Sequence, residues 1–349
     1  MTSETPPPER TLRYSIAPPE NSTVQSFAIS PDGKLVAIAA AVNGKQQLWL
    51  RSLDALQAQP MAGTEDATFP FWSPNSRYIG FFAQGKLKKI AASGGPAQSL
   101  CDACSGLGGS WNRDDVIAFS PAGAGGIQQL PAGGGLPTDA TKTKGVYRYP
   151  VFLPDGRHFL YTVLGGGETS GVYLSSLDGS ENRRVLADIS SVAFGAGHLL
   201  FIRQNTLMAQ PFDAGRARTS GDVFPVAEGV FFSAAALSFA PVTVSENGVL
   251  LYESGGGVGS NQISWFDRAG KLLGSLGEPG NVLNPSISPD EKMVTFSRGV
   301  ADGSIDIWLR DLARGTDTRF TFDAFRNFAP ALCSPPIEAA ECSISTKKR

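Results

Sequence analysis

The chain has 349 residues, of which 42% are hydrophobic and 18% charged, so it can bury a large core and is not a disordered polymer. Its net charge of −2 and the lack of any Lys/Arg cluster beyond Lys347-Lys348-Arg349 exclude the electrostatic footprint of a nucleic-acid or anionic-membrane binder. With 40 Gly and 24 Pro the backbone turns often, which leaves little room for long helices and favours an all-β protein.

The first residues, MTSETPPPERTLRYS, carry Pro and charge where a signal peptide needs an apolar run, and no stretch approaches the ~20 apolar residues of a membrane helix. The expectation from the chain as written is therefore cytoplasmic, without membrane insertion. Residues 1–10 read as the end of a Pro-rich linker.

From there a unit recurs. ISPDGKLVAIAA begins it at Ser30, followed by WSPNSRYIGFFA at Ser73, WNRDDVIAFS at Asn112, FLPDGRHFLYTV at Leu153, FGAGHLLFIR at Gly195, VSENGVLLYES at Ser245 and ISPDEKMVTFS at Ser288, in steps of 39 to 50 residues. In the turn, Pro31 presets φ, Asp32 bonds its own backbone and Gly33 supplies positive φ. The runs that follow are short, β-branched and aromatic, without helical spacing. Tyr78–Phe82 and His198–Ile202 are almost continuously apolar, as in strands buried on both faces. A Gly break then leads to a second run that keeps a large residue (Trp49, Tyr173, Trp265, Trp308), expected to pack between neighbouring units.

Four strands per unit at this period predict a β-propeller of four-stranded antiparallel blades, with about seven repeats (six to eight) over 11–328, rather than a sandwich or barrel. Departures are local. Ser76 and Glu291 replace the Gly of the turn, the Glu at about 1 kcal/mol if positive φ is kept, and the fifth copy lacks Pro and Asp. LRYSI at 12–16 mimics RFTFD at 319–323, the outermost strand of a blade, and is the natural piece to close a ring. Residues 329–349 keep only the Ser-Pro of an eighth copy, a degenerate partial repeat or aberrant tail, and whether seven blades close or an arc stays open is not decided by the pattern.

These units resemble the WD40-like blades of the TolB-type propeller family over residues 11 to 335. The phrases LRYSIAPPENSTVQSFAISPDG, FWSPNSRYIGFFAQGKLKKI, FLPDGRHFLY, NTLMAQPFDA (Asn205-Thr206 standing for the family's Gly-Thr) and DIWLRDLARGTDTRFTFD are most similar to the C-terminal sensor propeller of bacterial membrane-anchored serine/threonine protein kinases. That resemblance implies an upstream kinase domain, linker and membrane helix, which would make the propeller extracytoplasmic.

Chemistry of the chain's own is not visible. The H-R-D and D-F-G of a kinase are absent, GGGVGS at 255–260 is a glycine cluster, and no G-x-S-x-G occurs. His158 and His198 start apolar strands and read as rim or packing histidines. Cys101 and Cys104 sit in CDACSGLGG, read as an inter-blade loop, while Cys333 and Cys342 lie far off in the tail, so no zinc set is expected. Asp32, Asp155 and Asp290 are turn formers. No catalytic, metal or cofactor residues are assigned. The expected role is a non-catalytic module that binds a protein or small-molecule ligand on a propeller face. The alternatives are the propeller of a prolyl-oligopeptidase-type hydrolase without its catalytic domain, or a TolB-like assembly subunit.

Overall fold

The computed structural model describes residues 13–102, 106–121, 123–164, 169–203, 205–232, 238–254, 261–269, 271–280, 282–299 and 305–322. The features expected of residues 1–10, Cys104, 255–260, Cys333, Cys342 and 329–349 lie outside the described residues.

Each copy of the repeat folds as a meander. Blade 1 holds β1 (Ser22–Ile29), β2 (Leu35–Val42), β3 (Lys45–Ser52) and β4 (Gln59–Pro60), paired in chain order, and blade 2 repeats this with β5 (Thr68–Trp72), β6 (Tyr78–Ala83), β7 (Lys86–Ala91) and β8 (Gln98–Asp102). Blade 3 comprises β9 (Gly109–Trp111), β10 (Val116–Phe119), β11 (Gln128–Pro131) and β12 (Thr138–Asp139); blade 4 comprises β13 (Tyr147–Phe152), β14 (His158–Val163), β15 (Gly171–Ser176) and β16 (Asn182–Leu186). Blade 5 adds a fifth strand to β17 (Ala193–Gly195), β18 (His198–Arg203), β19 (Thr206–Asp213) and β20 (Arg218–Thr219), because β21 (Phe224–Ala227) also pairs with β19. Among the described residues blade 6 has β22 (Val242–Val244) and β23 (Leu250–Tyr252) in its ladder, with Ser254 bridging Val230. The remaining strands are a hairpin, β24 (Asn261–Phe266) with β25 (Leu272–Gly280), and a four-stranded sheet, β26 (Val282–Ile287), β27 (Met293–Gly299), β28 (Ile305–Asp311) and β29 (Thr316–Arg319).

Four of the seven copies share one turn chemistry, in blades 1, 2 and 6 and in the seventh copy. Ser30 Oγ donates to Asp32 Oδ1 at 2.6 Å and accepts from the Leu35 amide at 2.9 Å. Ser73 with Asn75, Ser245 with Asn247 and Ser288 with Asp290 do likewise. In blade 3 the side-chain oxygen of Asn112 takes the place of the serine, accepting from the Asp114 and Val116 amides. This satisfies buried backbone groups at a corner where no ladder can reach them. Ser76 and Glu291 do keep the positive φ of the absent glycine, at 57° each. Blade 5 turns instead through Ala196 and Gly197, both at positive φ, between paired Gly195 and His198, the two-residue hairpin suited to strand twist.

Six blades close a ring. The cores lie between blades, not within them: Ala37 and Leu48 of blade 1 pack with Trp72, Ile79 and Phe81 of blade 2, and Phe82 and Leu87 of blade 2 with Trp111, Ile117 and Phe119 of blade 3. Comparable clusters join blades 3 and 4, 4 and 5, and 5 and 6. The sixth closes the circle, with Val249 and Leu251 of β23 against Ile29, Val36 and Ile38 of blade 1. The Glu246 amide donates to Pro31 O and Asn247 Nδ2 to Asp32 O, so the two end blades are also tied turn to turn.

Closure therefore differs from the sequence expectation. Arg13–Pro18 form no strand, and Arg51 holds this segment by donating to Ala17 O, so residues 13–16 of LRYSI do not complete a blade. The seventh copy stays outside the ring with β24 and β25, sharing a separate core of Val282, Val294 and Phe296 with Ile263, Trp308 and Leu312. Trp49, Tyr173 and Trp308 pack between units as expected, whereas Trp265 is 39% exposed. Among the described residues there is no α-helix, and none long and apolar enough to cross a membrane.

Candidate functional site: the central channel

The six inner strands surround a cavity of about 680 Å³. One position governs its shape, the residue four before the turn of each inner strand: Ser26 in blade 1, Phe69 in blade 2, Gly108 in blade 3, Tyr149 in blade 4 and Ser191 in blade 5. Blade 6 supplies Phe239 from the segment leading into β22. Small and aromatic residues thus alternate around the ring.

The three rings, from alternate blades, touch one another. Centroids are 5.3 Å apart for Phe69 and Phe239, 5.4 Å for Tyr149 and Phe239 and 6.1 Å for Phe69 and Tyr149, with one pair edge-to-face and two tilted. Side chains from blades 2, 4 and 6 can all meet only near the ring axis, so this layer closes the channel. In blades 1 to 5 no residue before it in the inner strands lines the cavity, which runs from the aromatic layer to the turns as a blind cup.

The small residues hold the large ones. Ser26 Oγ accepts from the Phe69 amide at 3.0 Å, Leu107 O accepts from the Tyr149 amide at 3.1 Å, and Ser191 Oγ accepts from the Ala240 amide beside Phe239 at 2.8 Å. Odd blades therefore position the aromatic of the next even blade. Gly108 must stay a glycine: its φ is +95° and a Cβ there would lie 3.0 Å from Tyr149 Cα. Phe69 and Tyr149 sit at bulges of their strands with φ of 45° and 54°. For bulky residues before proline this left-handed backbone costs on the order of 1–2 kcal/mol. The off-ring copy keeps the bulge but places Asn284 there, at φ 49°, a residue that tolerates it better.

The walls are largely apolar, including Ile29, Trp72, Trp111, Val151, Phe194 and Val244. Their hydroxyls blunt the free strand edges: Ser110 Oγ accepts from the Phe152 amide and Thr243 Oγ1 from the Ile29 amide. Charge is confined to the mouth, where Arg113 of blade 3 and Glu246 of blade 6 stand three blades apart, on opposite sides. The Arg113 guanidinium is engaged with Pro154 O.

The residues singled out from sequence lie elsewhere. His158 bridges Asp155 and Glu181 on the rim of blade 4; burial alone would lower its pKa, but the two hydrogen bonds raise it. His198 Nδ1 is 2.7 Å from Ala196 O. The carboxyls of Asp32 and Asp290 fall below the usual range, chiefly through the hydroxyls of Ser30 and Ser288, as befits turn formers. At Asp155 burial is the largest single influence and raises the value, but the hydrogen bonds from His158 and the backbone amides of His158 and Arg157 together bring it down. Cys101 departs from expectation: it is in strand β8, opposite Leu87, rather than in a loop, and burial and then Asp102 push its thiol up. Among the described residues no group of three or more His, Cys, Asp or Glu is placed to hold a metal. Sequence reading missed the aromatic layer, although in blades 1 to 5 the fourth position before the turn carried its signal; Phe239 lies six residues before Ser245 and does not follow that count.

No family model matches the chain, and no curated protein matches it. Among solved structures, a putative TolB from Agrobacterium tumefaciens aligns at a TM-score of 0.51 and 16% identity, covering 67% of this chain and 91% of that one. TolB from Acinetobacter baumannii aligns at 0.49 and 15%, over 59% of this chain and 55% of that protein's length. A prolyl endopeptidase aligns at 0.39 and 14%, over 86% of this chain and 42% of that one. Four-stranded antiparallel sheets around a common channel, with the Agrobacterium structure as a neighbour, make this chain a β-propeller similar in fold to TolB.

Proposed function

We propose that the chain is a non-catalytic binding or sensing module whose ligand engages the open end of the central cup. The blind cavity carries this reading: a closed ring of six blades holds it, and strained aromatics form its floor. The described lining contains no histidine, cysteine or lysine, and its one carboxylate, Glu246, stands at the mouth. Such a wall can select a ligand by shape and desolvation but offers no nucleophile with a neighbouring base.

By its resemblance to sensor propellers, the module serves as the ligand-binding end of a serine/threonine-kinase-like receptor, outside the membrane. The DNA flanking this reading frame tests that: an in-frame kinase domain and membrane helix upstream support it, and a hydrolase or TolB-type neighbouring domain overturns it. The binding role is tested by thermal unfolding of the whole chain with small molecules and peptides, beside turnover assays with labelled ATP and p-nitrophenyl acetate. Saturable stabilisation without turnover is expected, since a ligand that binds only the folded state raises the midpoint. Turnover dependent on the folded chain would overturn the non-catalytic reading.

A further inference from the structure

Resting on that binding role, we propose that the cup takes an uncharged, ring-bearing small molecule, stacked on the layer of Phe69, Tyr149 and Phe239. The same bulge that carries Asn284 outside the ring carries Phe and Tyr inside it, where their backbone is disfavoured. Backbone preference therefore does not explain these aromatics; their position on the axis does. Their mutual contacts leave the layer's upper surface as a floor of ring faces and edges, the surface on which another aromatic ring stacks or packs edge-on.

The walls decide the charge. A cation resting on the floor could gain from the aromatic faces, but no wall carboxylate lies below Glu246, so an ammonium group would be desolvated without a counter-charge. An anion fares no better, because the guanidinium of Arg113 stays at the mouth and is engaged with Pro154 O. Backbone amides at the strand edges are also occupied: those of Ile29, Phe69 and Phe152 donate to hydroxyls of the neighbouring blade. A peptide therefore cannot add as a strand through these groups. The volume of about 680 Å³ lies within the roughly 300–1,000 Å³ of small-molecule sites.

The probe is N-phenyl-1-naphthylamine, an uncharged aromatic whose fluorescence rises in apolar surroundings, titrated into the whole chain. The expected result is saturation at one probe per chain, displaced by indole. Phe69→Leu with Tyr149→Leu should weaken binding tenfold or more, Phe239→Leu several-fold, and Trp265→Ser on the outer hairpin not at all, each variant being checked for native circular dichroism. If the double variant loses its fold, Phe239→Leu alone decides. Saturation that ignores the floor but vanishes with Trp265→Ser would overturn the proposal. Displacement by a Trp-containing peptide but not by indole would overturn the small-molecule source. Floor-dependent binding of anilinonaphthalene sulfonate or a trimethylammonium dye, with none of the neutral probe, would overturn the uncharged class while leaving the binding module standing.

Discussion

The ring and the outlying unit are built from the same repeat, yet only the ring buries it. The residue before the turn is 7% exposed at Trp72 and 43% at Ile287. Trp72 lies against the previous blade and donates to Ala28 O, whereas Ile287 has no such cover. In the same outlying unit Trp265, Phe266, Leu272, Leu273, Phe320 and Phe322 are exposed as well. A blade is thus only half a structure. Its stability comes from the neighbour that covers each face, which is why the same sequence pattern gives a sealed core in one place and an apolar surface in another.

The largest expected effect separates the two regions by one residue type. Phe81 and Phe296 occupy the same place in their copies and are each buried to within 1%. Phe81→Ala should cost the ring about 3–5 kcal/mol. The cost of Phe296→Ala should stay within the outlying unit, leaving the ring transition unchanged to within about 0.5 kcal/mol. Urea unfolding followed by segment-resolved hydrogen exchange reads both. A common loss of protection in the two variants would show that ring and unit unfold as one.

Next comes association. The exposed side chains of β24 to β29 should draw copies of the chain together, since burying even one large apolar side chain contributes roughly 1.5–3 kcal/mol. Light scattering after size exclusion should show concentration-dependent mass, reduced towards the monomer by Trp265→Ser with Phe266→Ser. Removal of residues 1–20 should leave it unaltered, because Arg13–Pro18 join no sheet. A monomeric parent chain would remove the contrast.

Much of this was legible in the sequence, and the boundary of legibility is physical. The Ser-x-Asp turn announces itself because its chemistry is local, each group bonding a partner within five residues. The strands of Tyr78–Ala83 and His198–Arg203 are legible for the same reason, as runs buried on both faces. Ring size is not local. It is decided by Val249 and Leu251 meeting Ile38, and by Asn247 reaching Asp32, across more than half the chain. Nothing in ISPDEKMVTFS distinguishes a blade that finds such partners from one that does not. The aromatic layer was intermediate: Phe69 and Tyr149 could be counted from their turns, Phe239 could not, and only the closed ring shows that the three meet.

The turns give a smaller effect of opposite sign in the two regions. Gly33, at φ +70°, faces Asn247, and an added Cβ would lie 2.4 Å from its side-chain oxygen, at the joint between blades 6 and 1. Gly33→Ala should therefore cost about 1–2 kcal/mol and loosen ring closure. Glu291→Gly removes the strain of a non-glycine at φ 57° and should stabilise the outlying unit by about 1 kcal/mol. Thermal unfolding compares them, and a destabilising Glu291→Gly would show that its side chain has a role the turn geometry does not reveal.

The smallest effect is in pH, and its two limbs divide the regions again. Asp32 in the ring and Asp290 outside it both have lowered pKa values, held chiefly by serine hydroxyls, against an ordinary 3.8. Their contribution is present above that ordinary value and is lost as pH falls through the folded one, so acid should weaken both regions. His158, in the ring, has the opposite sign. Desolvation opposes its charge, but Asp155 and Glu181 outweigh it and raise its pKa above 6.5. Its contribution is full below 6.5 and is lost as pH rises through the higher folded value. With the partners partly exposed, about 0.5 kcal/mol is the scale to expect. Melting of the ring between pH 5 and 9 should therefore decline gently on the alkaline side, His158→Gln should flatten that limb alone, and the outlying unit should show no such decline. An alkaline limb that survives His158→Gln would place the titrating group elsewhere.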